Sequence, residues 1–161
     1  MKPGWAKIIW LVGPVVTLPA CLFAALKLTT DTNSVSIPFA ISDYNSSTGA
    51  AQVIKISAET LTILSSSATW TLNVRALTST FSFVPSSGDT NPNKSANNLS
   101  VRTPATSSSW TSLTTSNQVL STGPKSASNQ TRVVDYRLNS NLSTDPPGTY
   151  TISVVYTLSS P

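Results

Sequence analysis

Apolar side chains fall on every second position through most of this chain, and only its start departs from that rhythm. Tyr150, Ile152, Val154, Tyr156 and Leu158 alternate with Thr151, Ser153 and Thr157; only Val155 breaks the order. Successive side chains of a strand point to opposite faces, so this stretch predicts a strand with one apolar and one hydroxyl face. Asp145-Pro-Pro-Gly148 ahead of it is a rigid turn. An isolated strand of this kind is unstable in water, and its apolar face requires a second sheet. The next clearest ribbon carries Trp70, Leu72, Val74 and Ala76 on one face and Thr69, Thr71, Asn73 and Arg75 on the other. The two ribbons are expected to meet across a shared interior.

Ser34–Ile41 alternates as well, with Val35, Ile37, Phe39 and Ile41 on one face. Pro38 has no N–H for a ladder and marks that strand as an edge or a special pairing. Val53–Ala58 predicts a buried face of Ile54, Ile56 and Ala58, after which Leu61 and Ile63 follow with the opposite parity. That flip calls for a bulge or corner near Glu59. Phe81 with Phe83, Asn98–Arg102, Gln118–Ser121 and Thr131–Asn139 supply further strands. In the last of these Val134, Tyr136 and Leu138 point inward, and Val133, Asp135 and Arg137 outward. The fold class that follows is all-β, an antiparallel two-sheet β-sandwich (Ig-like) preceded by one N-terminal hydrophobic helix.

The helix is expected in Ile8–Leu26, nineteen residues without a charge behind Lys2 and Lys7. Three readings of this leader stand side by side. It is a cleaved signal peptide, a lipoprotein signal in Leu18-Pro-Ala-Cys21 with lipidation at Cys21, or an uncleaved anchor whose length just spans a bilayer at 1.5 Å per residue. All three export the remainder, because the two lysines hold the leader on the cytoplasmic side. The organisation is therefore residues 1–27 as signal peptide or membrane anchor and residues 28–161 as the folded domain. The localisation is extracellular or cell-surface.

Composition narrows the chemistry. Charged residues make up 10% of the chain, against roughly 25% in ordinary soluble proteins. Without Lys2 and Lys7 the net charge falls from +4 to +2, and the other basic residues are scattered, so there is no footprint for nucleic acid. With no histidine and the single Cys21 in the leader, Ser-His, Cys-His and zinc arrangements are absent. No catalytic residue, cofactor or metal is expected. Asp135 between Arg132 and Arg137 reads as a solvated surface ion pair. Asp89-Thr-Asn91-Pro-Asn93 has the oxygen spacing that opens a calcium loop, but Lys94 and Ser100 stand where Gly and Glu are needed, and it reads as a polar turn. Trp110, in a Ser/Thr-rich stretch, is either a lid folded over one end of the domain, the preferred reading, or a platform that stacks on a sugar ring.

Trp70-Thr-Leu72 in a Thr-rich strand, together with Tyr150, Tyr156-Thr-Leu158 and the ending Ser160-Pro161, resembles the WxL domain of bacterial surface proteins. The resemblance covers residues 50 to 161. Tyr156 occupies the place of that family's second Trp, and Val154-Val155 replaces its Leu-Thr. It implies a non-catalytic exported domain attached non-covalently to the cell envelope, with a cell-envelope polymer or other surface proteins as partners. Trp70, Leu72, Tyr150, Tyr156 and Leu158 carry the motif, and packing in a core is the first role expected of Trp70 and Tyr156.

Two further roles remain open. The chain is a subunit of an extracellular filament, self-associating by strand exchange through Ser34–Ile41. Alternatively it is a single-span accessory subunit of an envelope complex, in membrane contact through Ile8–Leu26.

Overall fold

The structure is a computed structural model, and it describes residues 26–31, 35–38, 41–86, 88–103 and 109–160. The chain before Leu26, and with it Cys21 and all but the last residue of the expected helix, lies outside the described residues. No helix among them is long and apolar enough to cross a membrane. The described residues are all-β, with short 3-10 turns at Ile41–Asp43 and Ala96–Asn98. Its strands are β1 (Leu26–Thr30), β2 (Ala50–Ser65), β3 (Trp70–Ala76), β4 (Ser82–Pro85) and β5 (Leu99–Arg102), then β6 (Thr111–Ser112), β7 (Gln118–Gly123), β8 (Ser126–Asn141), β9 (Gly148–Thr151) and β10 (Val154–Ser159).

Every pairing is antiparallel. One sheet runs β1-β2-β8-β5-β6, a second β10-β3-β7, and β4 pairs with β9 alone. The first two sheets supply a single core. Leu61, Ile63, Val101, Val134 and Tyr136 come from the five-stranded sheet, and Trp70, Leu72, Val74, Ala76 and Leu120 from the three-stranded one. In β3 burial alternates strictly, so Trp70, Leu72, Val74 and Ala76 are all inside, as the pattern requires. Phe81 and Leu113 fill the same core.

Four expectations change. The closing stretch is two strands: β9 belongs with β4, β10 with β3, and Ile152-Ser153 separates them. Alternation hides this break, because a chain that passes from one sheet to the next keeps its apolar face turned the same way. Nor do the two ribbons face each other across the interior. They are neighbours in one sheet, with Leu158 opposite Leu72 and Tyr156 opposite Val74.

The β2 parity is also reversed at its start. Ile54 is 47% and Ile56 68% exposed, because Val53 and Lys55 are the residues paired with the inward Leu138 and Tyr136. The register shift falls between Lys55 and Glu59, close to where it was expected, and Ser57 takes a left-handed φ of 49° there. Finally, residues 35–38 form no strand, although Val35 and Ile37 pack against the core; Phe39 and the side chain of Ile41 lie outside the described residues. Conversely, Leu26-Lys-Leu-Thr-Thr30 is a strand, paired from Leu26↔Ser65 to Thr30↔Leu61, that extends into the tail of the apolar leader.

Candidate functional site

The strand β10 closes one side of the three-stranded sheet, and its alternation decides what it offers. The Ser153 carbonyl accepts the Leu77 N–H at 2.9 Å. In an antiparallel ladder hydrogen-bonded pairs alternate with non-bonded ones. Val155, Thr157 and Ser159 therefore direct their backbone groups to β3, and Val154, Tyr156 and Leu158 direct theirs to the opposite edge. Among the described residues no strand pairs with that edge. The side chains of Val154, Tyr156 and Leu158 turn inward and pack on the core. The motif pair Leu72 and Leu158 is consequently a non-bonded pair, the kind that brings side chains closest.

Beside this edge lies a cleft of about 1250 Å³ whose lining includes Leu28, Val35, Ile37, Glu59, Tyr150 and Tyr156. A chain of hydrogen bonds crosses its floor. Thr30 Oγ1 donates to Glu59 Oε1 at 2.6 Å, and the Tyr136 hydroxyl donates to Glu59 Oε2 at 2.8 Å. The hydroxyls of Tyr136 and Tyr156 are 2.7 Å apart. A phenol has one proton to give, so Tyr156 is the donor to Tyr136. Thr30, Glu59, Tyr136 and Tyr156 thus tie β1, β2 and β8 to β10, joining the two larger sheets through a polar seam. Burial, reinforced by the Glu59 charge, pushes both phenols well above their ordinary value.

Tyr150 lies apart from Tyr156, on β9. It stacks on Phe83 with ring centroids 4.7 Å apart, meets Phe81 edge-on, and donates to the Pro146 carbonyl at 2.9 Å. Burial and the Asp145 charge push its hydroxyl up to about 12. Asp145 is tied to Lys94 in a pair withdrawn from solvent, and also accepts from Ser140 and the Asn141 N–H. Burial alone would raise this carboxyl; the bonds from Lys94, Asn141 and Ser140 outweigh it and lower it. Lys94, counted above against a calcium loop, is therefore a structural cation. The turn before it is closed by the Asn93 N–H on Asn91 Oδ1.

Trp70 is buried under the Arg132 guanidinium, 5.0 Å from the ring centroid. The other motif residues hold the same core: Leu72 is fully buried, and Tyr150, Tyr156 and Leu158 pack against it. Trp110 stands elsewhere, on the outer side of the five-stranded sheet, half-buried beneath Arg102 at 4.5 Å and Arg137 at 4.8 Å. Two cations lie against its π-system, an environment that the readings as lid or platform did not anticipate. Asp135 is corrected too. It is 3% exposed, accepts Arg102 Nε at 2.9 Å and the Ser57 N–H at 2.8 Å, and forms no ion pair with Arg132 or Arg137. The positive φ of Ser57 aims its N–H at this carboxylate, so the bulge and the acid specify each other. The seam through Glu59 and the free β10 edge escaped sequence reasoning. Their only sequence signal is an acid, Glu59, set within an apolar strand.

No protein-family model matches this chain, and a comparison with characterised proteins returns no match.

Proposed function

We propose that the chain is a non-catalytic, exported structural or adhesion domain of a cell surface, built as an Ig-like antiparallel β-sandwich. The observation that supports this reading is the use made of its three most enclosed acids, Glu59, Asp135 and Asp145. Glu59 accepts from Thr30 and Tyr136, Asp135 from Arg102 and Ser57, and Asp145 from Lys94, Ser140 and Asn141. Each carboxylate joins separate strands or loops and accepts from at least two fixed donors, a role in cohesion rather than in proton transfer. The WxL resemblance fits the same role: Trp70, Leu72, Tyr156 and Leu158 lie on the β3–β10 pair, Tyr150 lies on β9, and all five pack in or against the core. Attachment to an envelope polymer or to other surface proteins is the corresponding partnership.

Fractionation of cells carrying the native chain, with N-terminal mapping of the product and protease treatment of intact cells, tests export. An intact Met1 in a chain inaccessible from outside defeats the reading. Retention of purified protein on cell wall tests attachment, and its absence leaves the structural role alone. A second reading, a filament subunit, is favoured by Val35 and Ile37 lying in the cleft beside the free β10 edge.

A further inference from the structure

We propose that the free edge of β10 is the acceptor for residues 34–41 of a second copy of this chain, which enter the cleft extended and complete the three-stranded sheet. The inference rests on the filament reading and names its partner and the edge it joins.

Three independent features converge on one place. The edge is unsatisfied in a regular way: the N–H and C=O groups of Val154, Tyr156 and Leu158 face away from β3, and no described strand pairs with them, although β1 passes close to β10. Six residues of β10 present about 20 Å of edge at ~3.4 Å per residue, which six of the eight residues Ser34–Ile41 suffice to cover. The cleft beside that edge is apolar at its flanks, with Leu28, Leu61, Phe81 and Ile152 among its lining, so it suits side chains arriving at every second position. The donor's chemistry is also visible in place. Val35 and Ile37 of the chain's own segment line this cleft and pack on the core, yet residues 35–38 form no ladder. The side chains fit while the backbone does not pair.

Exchange between copies resolves that mismatch. A segment tethered four residues after β1 has little freedom to slide into register with β10 of its own domain, whereas one from a neighbour carries no such restraint. Pro38, which lacks an N–H, can be accommodated where the added strand turns that position away from β10. Because donor and acceptor are different surfaces, the contact is head-to-tail, and repetition gives a ring or an open filament. The polar seam sets the depth of entry: Tyr156 is fixed by its bond to Tyr136, so an incoming side chain stops above it.

The test uses two differently tagged full-length chains, both Cys21→Ser, one carrying Ile37→Cys and the other Val154→Cys, mixed after unfolding and refolded together. A short bismaleimide is expected to give a product bearing both tags. Absence of that product, whether or not a doubly substituted chain closes on itself, overturns the inference, since the segment then serves only its own domain. A second arm reads assembly directly. Ile37→Lys is expected to reduce species larger than monomer at least tenfold in mass photometry, and persistence of those species overturns the proposal. Both arms use purified protein and are independent of export. A chain that cross-links but is never exported defeats the surface reading alone, and an exported chain that never cross-links defeats strand exchange alone.

Discussion

The hydroxyl of Tyr156 meets that of Tyr136 at 2.7 Å, and through it a residue of the closing strand reaches the buried carboxylate of Glu59. The order of donors makes the two tyrosines unequal. Tyr136→Phe deprives Glu59 of a donor inside the protein and leaves Tyr156 without an acceptor, a loss of about 2–3 kcal/mol. Tyr156→Phe removes one bond and leaves the Tyr136–Glu59 contact intact, at about 1 kcal/mol. Urea unfolding of both variants should show this ranking, and the double variant should cost less than the sum, since one network is being broken twice. Equal costs would mean the proton order is wrong.

The same pair sets an alkaline limit. Both phenols are held above the ordinary value near 10 in the folded chain, by burial first, with the Glu59 charge adding to it in each. The Tyr136 hydroxyl adds to the rise in Tyr156, whereas the bond from Tyr156 offsets part of it in Tyr136. A raised folded value means that this contribution is complete below about pH 10 and is lost as pH rises from there towards the folded values. Stability should be insensitive to these groups at neutral pH and fall above about pH 10, by up to ~1.4 kcal/mol per pH unit for each tyrosine. Tyrosinate absorbance should appear late and together with loss of the β-sheet circular dichroism signal. An early, gradual rise in absorbance for all four tyrosines would contradict the buried seam.

At the acid end the sensitive group is Asp145. Its folded value is lowered, so the stability it adds is present above the unfolded value near 3.9 and is lost as pH falls through the folded one. Asp145→Asn should lower stability at pH 7 by about 3 kcal/mol, because Lys94 is left buried without its partner. The variant's unfolding free energy should then vary less with pH below 4 than that of the parent. A neutral Asp145→Asn would show the lysine to be solvated instead.

Gly123 lies opposite Trp70, where a Cβ would come within 2.2 Å of the indole Cζ2. The indole is fully buried under Arg132 and cannot withdraw into solvent. Gly123→Ala should therefore cost about 1–3 kcal/mol through forced repacking, with a shift in tryptophan emission as the ring is displaced. The same substitution at Gly88, which has open space around it, should be close to neutral.

Much of the fold was legible because period-two alternation reports which side chains share a face. It placed β3, β5, β7 and the inward residues of β8, and it located the bulge near Glu59. It failed where two strings of alternate positions compete. Ile54 and Ile56 are more apolar than Val53 and Lys55, yet both isoleucines are exposed and it is Val53, paired with Leu138, that is partly covered. Alternation is also blind to sheet identity, which is why the break at Ile152-Ser153 and the side-by-side placement of Leu72 and Leu158 came only from the ladder. The site was less legible still. An unpaired edge is defined by what its neighbours do, and the Glu59–Tyr136–Tyr156 seam joins residues up to 97 positions apart in the chain.

Trp110 offers the sharpest contrast between a packing role and a surface one. Its ring lies beneath Arg102 and Arg137, and Arg102 in turn holds Asp135, which receives the N–H of the strained Ser57. If the indole serves chiefly to fix Arg102, Trp110→Ala should loosen the arginine, weaken the Asp135 pair and cost about 1–2 kcal/mol, the cation–π stack and its packing together. Trp110→Phe should restore part of that loss, and Asp135→Asn combined with Trp110→Ala should be less than additive in denaturant melts. A Trp110→Ala chain that is as stable as the parent, but no longer held by purified cell wall, would instead make the ring and its two guanidinium groups a ligand-facing surface. The buried carboxylate favours the first outcome, because a guanidinium already committed to Asp135 has fewer donors left for a ligand.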